Sequence, residues 1–136
     1  MDNTKSPKTG TVLLVDDNLD HLQILERLLS SKGHISYKIS SAPQAIPFAK
    51  KVQPDLIFLD ITMPEINGFE ICRQLKANKK TRHIPVVFMS AIHNTVNQRK
   101  AISVGAEDYI TKPIDIDKVI VLVDTFIKQP ESITSP

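Results

Sequence analysis

Several apolar runs in this chain stop at residues that can do chemistry. Asp16 and Asp17 follow the run at 11–15, and Asp60 follows the run at 55–59. Ser90 comes directly after the run at 84–89, and Lys112, with Pro113 behind it, comes just after residues 106–110. Three carboxylates held together raise one another's pKa and weaken the fold unless a cation joins them. An oxygen-only donor set suits a hard ion, for which Mg²⁺ is the natural candidate. Zinc or copper would want His or Cys at these points, and neither is there. A carboxylate beside such an ion and a lysine can attack phosphorus. The resulting acyl phosphate would be neutralised by metal, ammonium and hydroxyl.

Each piece also has a plainer reading. Asp16-Asp17-Asn18 is equally a cap for the helix that follows. Ser90 taken alone reads as a loop hydroxyl, and Lys112 as a solvated surface lysine. Asp60 resists this treatment, because it follows the apolar stretch Leu56 to Leu59 with no helix start close behind it.

The elements that must position these residues alternate. The runs at 11–15, 55–59 and 84–89 lack polar alternation, as expected of strands buried on both faces. Shorter strands are predicted at 35–40 and 106–110. Helical spacing covers 18–32, with Gly33 as the stop, then 68–77, 95–104 and 115–128, the last capped by Asp115. Ser41-Ala42-Pro43-Gln44 has the form of a capping box, and Pro47 predicts a short or distorted second helix. Five strand–helix units imply a parallel sheet with right-handed crossovers and helices on both faces. Open sheets of this kind carry their chemistry beyond the carboxyl ends of the strands, so the residues named above should share one crevice.

The ordered motifs resemble the receiver domain of bacterial two-component signalling, the fold of the chemotaxis response regulator. The matching pieces are Val15-Asp16-Asp17-Asn18, Leu59-Asp60 through Asn67-Gly68, Met89-Ser90-Ala91, Gly105-Ala106-Glu107-Asp108-Tyr109 and Lys112-Pro113. The resemblance implies a flavodoxin-like, doubly wound (βα)5 α/β fold with strand order 2-1-3-4-5, occupying 11–128; the ends at 1–10 and 129–136, rich in Pro, Ser and Thr, read as flexible. It implies that Asp60 accepts a phosphoryl group from a phosphohistidine on a sensor histidine kinase or phosphotransfer protein. Asp16, Asp17, Asp60 and the backbone carbonyl of Thr62 would hold Mg²⁺. Lys112 would pair with the phosphoryl group, the bond to Pro113 would be cis, and Ser90 and Tyr109 would form the switch. Read without the family, Tyr109 is a core aromatic. Thr62 and Ile92 offer no strong acid or amide to orient water, so a phosphoryl lifetime not among the shortest is expected. The four histidines, His21, His34, His83 and His93, match no phosphodonor motif.

The last helix carries Ile116, Val119, Ile120, Val123, Phe126 and Ile127 on one face, leaving Val121 and Leu122 as surplus apolar residues. Either a wider stripe is buried, or the face of the fourth helix, fifth strand and fifth helix docks a downstream protein or domain, or a second copy. The chain would then be a phosphoacceptor that assists its own phosphorylation and dephosphorylation rather than an enzyme. The same motifs fit an excised receiver of a hybrid histidine kinase, with a linker beginning near Gln129. A phosphatase of the haloacid-dehalogenase type would need an Asp two residues after the nucleophile, where Thr62 stands. A nucleotide-binding relative would need a Gly-rich loop after the first strand.

Composition narrows the field. Among 136 residues, 17 Lys+Arg face 15 Asp+Glu for a net charge of +2, which points to neither nucleic acid nor a membrane surface. A composition 41% hydrophobic and 24% charged is that of a globular domain, and a single Cys leaves no internal disulfide. No apolar run is long enough for a membrane helix and no signal-peptide core is present, so a cytoplasmic location is expected.

Overall fold

The computed structural model describes residues 9–61, 68–91 and 95–127, apart from the side chain of Thr95. Its elements, in chain order, are β1 (Thr11–Val15), α1 (Leu19–Ser31), β2 (Ile35–Ile39), a 3-10 turn (Ala42–Gln44), α2 (Ala45–Val52), β3 (Leu56–Asp60), α3 (Gly68–Ala77), β4 (Val86–Ser90), α4 (Thr95–Ser103), β5 (Asp108–Thr111) and α5 (Ile116–Phe126). The expectations for the two chain ends, for Thr62 and for Ile92 lie outside the described residues.

All strand pairs are parallel, in the expected order β2-β1-β3-β4-β5. Alternate side chains of each central strand enter opposite layers. Val12 and Leu14 pack with Leu56 and Phe58 beneath α1 and α5. Leu13 and Val15 pack with Ile57 and Leu59 beneath α2, α3 and α4. Every residue of β3 and β4 is buried, which is why these strands read as unbroken apolar runs. Each buried Leu, Ile, Val or Phe contributes roughly 1.5–3 kcal/mol relative to exposure. Cys72 is a buried core residue, its thiol pushed up to about 12 by desolvation.

Local chemistry explains the helix ends. The Asn18 side chain accepts from the N–H groups of Asp20 and His21, so Asn18 alone caps α1 and the two preceding aspartates are left for other work. Gly33, at φ 87°, turns the chain out of α1. Asp115 caps α5 in the same way as Asn18 caps α1.

Two expectations need correction. Ser41 makes no side-chain capping bond, so the capping box does not form. Pro47 cannot donate to the Pro43 carbonyl, and the segment opens instead with the 3-10 turn, leaving Pro47 in the first turn of an eight-residue α2. On α5, Leu122 is not surplus. It is buried with Val119 and Val123, whereas Ile116 is 49% and Val121 60% exposed. The wider-stripe reading holds: Val119, Val123 and Ile127 are buried as the spacing suggested, Ile120 and Phe126 are half-buried, and Leu122 joins them because the sheet selects the facing positions.

Candidate functional site

Strand register builds the site. Val15 stands opposite Leu59, so Asp16 leaves β1 beside the end of β3. Asp60 stands opposite Met89, which puts Ser90 one step further along β4. Ser90 stands opposite Thr111, and Lys112 follows at once. Four strand ends therefore deliver their polar residues to the same edge of the sheet.

Lys112 is the hub. Its Nζ donates to Asp16 Oδ2 at 3.0 Å and to Asp60 Oδ2 at 3.4 Å, with 12% of its side chain exposed. The surface-lysine reading of Lys112 is thereby excluded. The Lys112 N–H donates to the Ser90 carbonyl at 2.8 Å, and the Lys112–Pro113 bond is cis. Asp16 is fully buried, and its Oδ1 accepts from the Asn18 N–H at 2.9 Å. Burial alone would push the Asp16 carboxyl up. The Asn18 amide and the Lys112 ammonium outweigh it and hold Asp16 below the usual carboxylate range.

Asp60 is 5% exposed, while Asp17 is open to solvent. Carboxylate oxygens of Asp16, Asp17 and Asp60 all lie within 4.8 Å of one another. An all-oxygen set of that span, open on one side through Asp17, fits a hard divalent cation better than a transition metal. Ser90 is buried at the same edge. Tyr109 is buried too, in the layer of α2, α3 and α4, and borders a depression of about 300 Å³ with Gln98, Ile102 and Lys118. Val96 and Ile102 on α4 are exposed along this face, as is Val121 on α5.

Two participants escaped the sequence reading. His21, on the first turn of α1, places Nδ1 3.4 Å from Asp16 Oδ2. Its position five residues after Asp16 was the available signal, since the first turn of α1 leaves β1 directly. Gly68 opens α3 against the end of β3, its N–H donating to the Ile61 carbonyl at 2.6 Å. A Cβ on Gly68 would overlap the Asp60 carbonyl oxygen and stand 2.8 Å from Ile61 Cα.

The response regulator receiver domain pattern matches residues 12–124. The chain is 39% identical over 110 residues to response regulator PleD of Caulobacter vibrioides, covering 79% of this chain and 24% of that protein. It thus spans about a quarter of PleD. It is 30% identical over 119 residues to the polar-differentiation response regulator DivK of Brucella ovis, covering 88% of this chain and 97% of DivK. The receiver domain of sensor histidine kinase PA1611 from Pseudomonas aeruginosa, solved with magnesium coordinated in its active-site cleft, shares the fold. Its TM-score is 0.80 at 24% identity, covering 88% of this chain and 98% of that one.

Proposed function

Because the chain belongs to the response regulator receiver domain family, a family of two-component signalling, we propose that Asp60 is its phosphoacceptor. An Asp60 carboxylate oxygen attacks the phosphorus of a phosphohistidine on a histidine kinase or phosphotransfer protein. The phosphorus–nitrogen bond breaks, its electron pair stays with the imidazole, and Asp60 becomes an acyl phosphate. The observation that carries this reading is Lys112 Nζ, shared between Asp16 and Asp60 across separations of 96 and 52 residues. A small shift away from Asp16 lets that ammonium follow the phosphoryl oxygens.

Ser90 supplies a hydroxyl donor at the neighbouring strand end. Asp16, Asp17, Asp60 and the Thr62 carbonyl would hold Mg²⁺, which when bound offsets the negative charge gathered there. The magnesium in the PA1611 receiver supports that assignment. These residues also let the domain assist its own phosphorylation and dephosphorylation.

Phosphorylation adds up to two negative charges and three acceptor oxygens. Ser90 moving toward them frees space for Tyr109 to shift, which alters the α4-β5-α5 face where a downstream protein, domain or second copy docks. Val121 is the α5 position that probes this docking, because Leu122 belongs to the core. Among the described residues no helix is long and apolar enough to cross a membrane.

The test is treatment with acetyl phosphate and Mg²⁺ followed by intact mass. One added phosphoryl group, lost in Asp60→Asn and in EDTA, is expected. A group that persists in Asp60→Asn overturns the assignment.

A further inference from the structure

The acidic crevice occupies one edge of the sheet, and the opposite edge carries an unbalanced positive charge. Lys50 and Lys51 end α2, while Lys79, Lys80 and Arg82 lie between α3 and β4, and all five are exposed. The two segments are tied together. Gln53 Nε2 donates to the Lys50 carbonyl at 3.1 Å and to the Lys80 carbonyl at 2.9 Å. Gln53 takes a left-handed backbone conformation, φ 55°, to do so. Lys76 adds a second tie by donating to the carbonyls of Arg82 and Ile84, and its own charge is met by Glu107 at 3.1 Å. Among the described residues none of the five outer cations makes an ion pair.

Balancing helix dipoles does not account for the group. Cations at a helix C-terminus act within its last turn. Lys50, Lys51 and Lys76 already fill those positions on α2 and α3, whereas Lys79, Lys80 and Arg82 lie past the end of α3. On the other face, α1 and α5 end at the same edge of the sheet with no basic residue in the last turn, and Lys32 stands at the C-cap of α1. The charge is therefore concentrated on one side of that edge and held there by Gln53.

We propose that this patch binds an acidic polypeptide segment. Four of the five cations are lysines, point charges on flexible stems that suit separately spaced carboxylates better than one planar bidentate group. Among the described residues none of the large apolar side chains exposed on the surface lies in the patch, so it lacks an anchor for a bilayer and an aromatic platform for unpaired bases. The patch consists of a helix end and a loop, with no helix to enter a DNA groove. The site lies away from Asp60 and operates in the unphosphorylated chain.

The full chain is titrated with a fluorescent twelve-residue glutamate peptide at low salt. Binding is expected to weaken about tenfold in Lys50→Gln/Lys80→Gln and further in Lys50→Glu/Lys80→Glu. Arg27→Glu/Lys32→Glu, the same charge change on α1 and its C-cap, should leave it within about twofold of wild type. Amide NMR shifts in the unmodified protein should move at Lys50, Lys51, Lys80 and Arg82. Equal loss in both charge-reversal pairs overturns the proposal, because binding would then follow net charge. Shifts confined to other surfaces overturn it as well. So does patch-dependent binding of a twelve-nucleotide strand or of phosphatidylglycerol vesicles that is tighter than that of the peptide.

Discussion

Replacing Gly68 with alanine isolates the contact between α3 and the end of β3. The backbone at Gly68 is outside the left-handed region, so alanine is conformationally permitted there. On entropy alone the change would stabilise the fold by roughly 0.4–1 kcal/mol through the unfolded chain. Sterics oppose it. The new Cβ would overlap the Asp60 carbonyl oxygen and stand 2.8 Å from Ile61 Cα, and both are backbone atoms that cannot rotate aside. Overpacking of this kind costs about 1–3 kcal/mol, and the rigid neighbours place it toward the upper end. The expected net loss is about 1–2 kcal/mol. For a chain of this size that corresponds to a fall in Tm of roughly 4–8 °C by circular dichroism.

The relief must come from moving α3 or the Asp60 peptide, so phosphorylation by acetyl phosphate should slow by roughly tenfold. Gly33→Ala is the control. It forces a side chain onto φ 87°, costing about 1–2 kcal/mol far from the site, and should leave the phosphorylation rate unchanged. A Gly68→Ala protein as stable as wild type would refute the steric argument. One that is destabilised yet phosphorylates at the normal rate would refute the link to Asp60.

Asp17→Asn in EDTA should raise Tm by a few degrees, about 2–4 °C, since an exposed carboxylate is removed from a cluster of three. Asp16→Asn should instead lower Tm, because the Asn18 amide and the Lys112 ammonium at 3.0 Å favour its charged form; a gain equal to that of Asp17→Asn would count against the hub role of Lys112. In both variants the stabilisation by added Mg²⁺ should shrink. His34 supplies a pH test. Burial pushes its imidazole down from 6.5 despite the opposing pull of Asp124 and Asp55, and its Nδ1 accepts from the Gly10 N–H at 3.1 Å. The unfolded chain therefore takes the proton first. The contribution is whole above the unfolded value of 6.5 and is lost as pH falls through the lower folded value. Denaturant midpoints at about pH 7.5 and about pH 5.5 should differ more in wild type than in His34→Gln, and identical differences would contradict the assignment.

Much of the fold was legible because its signals are local. A strand covered on both faces must be apolar throughout, so β1, β3 and β4 announced themselves, and the acids stood out where those runs ended. The positions of Asp60, Ser90 and Lys112 at one edge followed once alternation implied a parallel sheet. Helix caps were legible unevenly. Asn18 and Asp115 cap as their types suggest, whereas Ser41 does not, because Pro47 shifts the start of α2 behind a 3-10 turn.

The sequence by itself determined which residues are available for chemistry and the order in which the strands bring them up, since both depend on side-chain type and spacing along the chain. Only the tertiary structure decided who touches whom. Lys112 divides itself between Asp16 and Asp60, His21 comes back to Asp16, and Gly68 lets α3 meet the end of β3. Leu122 faces the core where Ile116 does not, because the seating of α5 on the sheet chooses among equally apolar positions. Gln53 gathers scattered lysines into one patch by a bond to a carbonyl 27 residues away. Apart from the His21–Asp16 pair, whose five-residue spacing is a local signal, such contacts depend on strand register and helix rotation, which are settled by packing the whole core at once.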